Sequence, residues 1–92
     1  MPKQRVTIVN IRGLHARAAN KFAQLSGTFE AEVTVSKDGQ SVGGRSIMGL
    51  LMLGAAPGTA VDIETDGSEA APALEALVAL VEGGFDEELA EP

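Results

Sequence analysis

Arg5-Val6-Thr7-Ile8-Val9-Asn10 and, beyond Gly13, the segment from Ala16 to Ser26 differ in hydrophobic period. The first alternates and is rich in β-branched residues, which predicts a half-buried strand with Val6 and Ile8 toward the core. In the second, Ala18, Phe22 and Leu25 recur at i, i+4 and i+7, which predicts an amphipathic helix. Gly27 is expected to end that helix in the left-handed conformation. Between the two lies Arg12-Gly13-Leu14-His15-Ala16-Arg17, which carries the only histidine of the chain.

The same reading extends along the chain. Residues 29–36 alternate, with Ala31, Val33 and Val35 on one side. Asp38-Gly39 is a tight hairpin turn, since both residues tolerate positive φ. Residues 40–43 return as a short edge strand. Ser46 is a natural N-cap for a short helix over 47–53, which Gly54 ends. Pro57-Gly58 marks a turn, and 59–65 is a fourth strand with Val61 and Ile63 inward. Gly67-Ser68 opens a last helix with a Leu74, Leu77, Val78 and Val81 stripe, stopped by Gly83-Gly84. Pro72 fits only inside its first turn. The tail from about residue 86 is acidic and expected to fray. The order β-α-β-β-α-β-α with clean strand alternation predicts an α+β open-faced β-sandwich. One face of its four-stranded antiparallel sheet is wet and the other is covered by three helices.

Length and composition bound the function. The 92 residues make one domain, 1–92, with 45% hydrophobic residues and no cysteine. Disulfides, thiolate catalysis and cysteine metal sites are therefore excluded. A single histidine makes a weak case for any metal site, and no cofactor motif is present. With three Phe and no Trp or Tyr, the chain lacks stacking platforms for nucleic acid. No run is long enough to span a membrane, and the start resembles no signal peptide, so a cytoplasmic protein is expected. The net charge of −6 hides a division. Residues 1–45 hold all seven basic residues and three acids, a net of +4, whereas residues 46–92 hold ten acids and no base. A basic half around His15 suits an anionic ligand or an acidic partner.

A lone histidine ordinarily has no catalytic role. Here it falls at a helix N-terminus, where backbone N–H groups lack intrahelical partners and the dipole favours negative charge. The N–H groups of Ala16 and Arg17 and the Arg17 guanidinium can receive phosphoryl oxygens. Arg12 and Lys21 add positive charge nearby. Nothing resembles a hydrolase nucleophile elbow. A second stretch, residues 46–53, is apolar nearly all round and cannot be buried all round on so small a domain. Leu50 and Leu53 can face the core, which leaves Ile47, Met48 and Leu51 as an exposed patch suited to docking.

At Gly13-Leu14-His15-Ala16-Arg17-x-Ala19 and Arg45-Ser46-Ile47-Met48-Gly49 the chain resembles the HPr family. These are histidine-containing phosphocarriers of the bacterial phosphoenolpyruvate-dependent phosphotransferase system. The resemblance covers roughly residues 4–85. It implies that enzyme I passes a phosphoryl group to Nδ1 of His15, which hands it to a histidine of an enzyme IIA protein. It further implies that Arg17 steadies the phosphoryl group and that Ile47, Met48 and Leu51 dock both partners, with Arg12, Lys21 and Arg45 suiting an acidic partner surface. Ser46 matches the serine that an HPr kinase/phosphorylase modifies in some bacteria. The chain departs from the family at Ala18, where proline is usual, and at Arg12, where small polar residues are common. Such a protein is a stoichiometric carrier rather than an enzyme, and works as a monomer. His-Ala-Arg-Ala points toward a regulatory or nitrogen-related branch. The competing reading is a non-phosphorylated α+β regulatory binding module, in which His15 has no special part.

Overall fold

The computed structural model describes residues 2–86. Its elements are β1 (Lys3–Thr7), α1 (Ala16–Ser26), β2 (Glu32–Lys37), β3 (Gln40–Gly43), α2 (Ile47–Met52), β4 (Ala60–Asp66) and α3 (Ala70–Glu82), closed by a 3-10 turn over Gly84–Asp86. The order is the one expected from the periodicities. All pairings are antiparallel, in the order β1-β4-β2-β3. Val6 stands opposite Val61, and Val35 opposite Ile63. These inward residues, with Ile8 and Val33, meet Ala18, Ala19 and Phe22 of α1, Leu50 of α2 and Leu77, Val78 and Val81 of α3 in one buried cluster. The other face of the sheet is polar. There the Arg5 guanidinium hydrogen-bonds Asp62 at 3.0 Å and holds its carboxyl below the usual carboxylate range.

Strand ends depart from the expected ones where partners run out. β1 spans Lys3–Thr7 rather than 5–10, because β4 reaches Glu64 to pair with Lys3 and stops at Ala60 opposite Thr7. Beyond it, Ile8 exchanges bonds with the turn, donating to Thr59 and accepting from Gly58. β2 begins at Glu32 rather than Phe29, since its partner ends at Asp66. Glu30 instead binds the start of α3: its amide donates to the Glu69 carboxylate at 2.7 Å and its carbonyl accepts the Glu69 amide. β4 is likewise displaced by one residue, to Ala60–Asp66.

Turn chemistry holds at most positions. Asp38 and Gly39 have φ of 50° and 84°, which matches the expected hairpin. Gly27 differs. Its φ of −72° is right-handed, and Thr28 takes up the Leu25 carbonyl through both its amide and its hydroxyl, so no left-handed residue is needed. α2 ends at Met52, with Leu53 as its C-cap. α3 starts at Ala70, later than Gly67-Ser68 suggested, and Pro72 falls in its first turn, where a missing N–H costs nothing. The left-handed stop after α3 is Gly84, at φ 67°. Asp86 is placed in the 3-10 turn; the rest of the acidic tail lies outside the described residues. Among the described residues no helix is long and apolar enough to cross a membrane.

Ser46 caps α2: its Oγ accepts the Gly49 amide at 3.0 Å. Ser46→Ala is expected to cost about 1 kcal/mol of stability, the usual worth of a serine N-cap, measured by urea denaturation.

Candidate functional site

The loop between β1 and α1 is built from backbone constraints. Gly13 adopts φ 64°, and a Cβ there would lie 2.5 Å from the Ala55 carbonyl oxygen, so the position admits glycine alone without displacement. The next amide, Leu14, donates to that same carbonyl at 2.9 Å. The loop is thus seated on residues 55–57, with the Leu14 side chain buried in the core. His15 follows as the N-cap of α1, in extended conformation, and its carbonyl accepts the first helical bond from Ala19 at 2.8 Å.

The imidazole is half-buried, and its Nδ1 accepts the Arg17 backbone N–H at 3.3 Å. A nitrogen that accepts there presents its lone pair to the helix N-terminus, and the histidine takes the part usually played by Ser, Asp or Asn. Ala16 and Arg17 are exposed beside it, as is Arg12. The guanidinium groups of Arg12 and Arg17 make no ion pair with another described residue.

α2 packs against α1 and turns Leu50 and Leu53 inward. Its outer side exposes Ile47 and Met48, with Leu51 half-buried and in contact with the core. Met52 is as open as Met48, at 71% and 70% exposed, and belongs to the same apolar surface. The four-residue spacing of the two methionines carried that signal, since i and i+4 share a helix face. Ile11, at 48% exposed, is a further large apolar residue in the histidine loop. It sits outside any periodic element, so no sequence pattern marks it.

Two basic residues are engaged within the molecule. Lys21 is half-buried and its ammonium donates to the Phe85 carbonyl at 2.6 Å. Arg45 stays exposed and reaches the Phe29 carbonyl at 3.4 Å. Arg45 and Ser46 also line an open depression of about 730 Å³ that carries the carboxylates of Glu30, Glu32 and Asp66. Among the described residues no three His, Asp or Glu side chains are grouped to hold a metal.

Helices on one face of an open antiparallel sheet, with a histidine as N-cap beside a helix that exposes apolar side chains, define a small α+β protein. Residues 2–83 match the family described as "PTS HPr component phosphorylation site". The chain is 52% identical to the phosphocarrier protein HPr of Neisseria meningitidis, over 95% of this chain and 98% of the relative. It is 42% identical to the phosphocarrier protein NPr of Shewanella violacea, over 92% and 93% of the two chains. The crystal structure of HPr-C-His from Thermoanaerobacter tengcongensis superposes with a TM-score of 0.92 at 39% identity, covering 97% of this chain and all of that one. The chain belongs to the HPr family of phosphocarriers of the phosphotransferase system.

Proposed function

We propose that His15 is the phosphoryl acceptor and that the protein shuttles the group from phospho-enzyme I to an enzyme IIA protein. The observation that carries this reading is the placement of Nδ1 as the N-cap acceptor, 3.3 Å from the Arg17 amide. In the transfer, the Nδ1 lone pair attacks phosphorus, a new N–P bond forms, and the bond to the enzyme I donor breaks with its electrons leaving on the donor. The phosphoryl oxygens then occupy the space before the helix N-terminus, within reach of the Ala16 and Arg17 amides, while the Arg17 guanidinium neutralises charge. Ile47, Met48, Leu51 and Met52 form the docking surface, whose flexible methionines suit more than one partner. The half-buried ring leaves an edge for a partner to approach, which a carrier requires.

Arg12 and Arg45 serve as rim charges for an acidic partner, whereas Lys21 contributes through the fold. Replacing Arg12 with alanine is expected to raise the KM of enzyme I for this protein about two- to fivefold, the worth of a rim charge, with kcat unchanged; steady-state transfer kinetics measure it. Ser46 is the site for an HPr kinase/phosphorylase, and a phosphate there would gain from the α2 dipole beside the docking surface. The protein works in the cytoplasm as a monomer, and the similarity to an NPr supports a nitrogen-related branch.

The test is incubation with enzyme I and labelled phosphoenolpyruvate. Acid-labile, alkali-stable label that His15→Ala abolishes is the expected result. Absence of label with a competent enzyme I would return the protein to the class of non-phosphorylated binding modules. Kinase and ATP, with Ser46→Ala as control, test the serine separately.

A further inference from the structure

Asn10 has no part in either family motif, yet it is one of three fully buried polar residues among those described. A carboxamide out of water is costly unless its hydrogen bonds are made, so its partners indicate what it secures. Its Nδ2 donates to the Gly13 carbonyl at 2.8 Å, and its own carbonyl accepts the Gly13 amide at 3.1 Å. Both ends of the left-handed glycine are therefore held by one residue. The Gly13 carbonyl has a second lone pair, and it takes the backbone N–H of His15 at 3.0 Å. His15 is thus suspended from the oxygen that Asn10 grips.

We infer that Asn10 is a positioning residue for the phosphoacceptor, acting through the Gly13 carbonyl to set the direction in which His15 presents Nδ1. This rests on the reading of His15 as the acceptor. The Asn10 side chain and Leu14 each fix one side of the loop, against Gly13 and Ala55 respectively. With both in place, the His15 backbone has little freedom to rotate about the helix entry. A buried, hydrogen-bonded link of this kind is stiff, since each bond polarises the next in a low-dielectric setting. Reactive groups need to be held to within about 0.5 Å by such supporting contacts, and misplacement of about 1 Å can cost a hundredfold in rate.

The test compares Asn10→Asp, which keeps the shape and deletes the Nδ2 donor, with Asn10→Ala and with Gly39→Ala. The last strains the β2–β3 hairpin, where nothing lies within 4 Å of the added carbon, and leaves the histidine loop untouched. Under conditions where all are folded, two readouts are taken: kcat and KM for phosphoryl transfer from enzyme I, and the NMR shifts of the His15 ring nitrogens and the Arg17 amide. Both Asn10 variants are expected to lower kcat about tenfold or more with KM little changed. They should also shift the ring and the Arg17 amide, while Gly39→Ala moves neither. Unchanged ring shifts in a folded Asn10→Asp protein, or a loss of transfer equal to that of Gly39→Ala, would overturn the inference. Should wild-type protein accept no phosphoryl group, the carrier reading fails, and the NMR comparison, made without enzyme I, still decides the role of Asn10.

Discussion

Phe85→Ala is expected to destabilise the protein by about 3–5 kcal/mol, the range for emptying a fully buried phenylalanine site. Phe85 is completely buried although it lies beyond the last long helix, in the 3-10 turn that begins at Gly84. Its backbone has φ 56°, a left-handed conformation that costs an L-residue roughly 1–2 kcal/mol. That cost is tolerated because the turn directs the ring into the common core and aims the Phe85 carbonyl at the Lys21 ammonium. Alanine would keep the backbone strain and lose the packing that offsets it. A small domain has a stability of only several kcal/mol, so the loss falls near the limit of folding. Urea denaturation at low temperature measures it. Phe85→Leu, which refills most of the volume, should lose less than half as much. A loss below about 1 kcal/mol for the alanine variant would mean that the ring is not part of the core.

The second large effect belongs to Gly13. Gly13→Ala meets two penalties: the left-handed φ, roughly 1–2 kcal/mol, and a Cβ against the Ala55 carbonyl oxygen, where overpacking costs about 1–3 kcal/mol. The obstructing atom is backbone and cannot swing aside, and Pro57 stands 3.3 Å away on the same side. The loop must therefore lift from residues 55–57, which breaks the Leu14 bond to Ala55 and displaces His15. Phosphoryl acceptance is expected to fall by about tenfold or more beyond any loss of folded protein. Gly39→Ala again supplies the comparison, since it carries the left-handed penalty in open space. Equal destabilisation by the two substitutions would show that the Ala55 contact exerts no force.

Much of this architecture is local in origin and so is readable from residue order. The Ala18, Phe22 and Leu25 spacing marks α1, Asp38-Gly39 marks the hairpin, and Ser46 marks the start of α2, because each depends on neighbours within a few positions. His15 too is visible as a helix-start residue. The strand ends are not, for a strand stops where its partner stops. β1 begins at Lys3 because β4 extends to meet it, a fact about residues some sixty positions away. The expected left-handed Gly27 failed for a local reason instead: the next residue, Thr28, satisfied the open Leu25 carbonyl by another route.

Charges separated along the chain were harder still. Lys21 reads as surface charge from its neighbours, and only the return of the chain to Phe85, 64 residues on, engages it. Asn10 reads as the polar end of a strand; its burial follows from the seating of the histidine loop on residues 55–57. The sequence by itself determined the element order, the wet and dry faces of the sheet, and the histidine at a helix start, since these follow from short-range periodicity and capping. Tertiary structure alone decided which polar groups were withdrawn from water and what held them, because burial is a property of the packed whole. Around His15 that decision makes the difference between a histidine at a helix end and one held in a fixed direction.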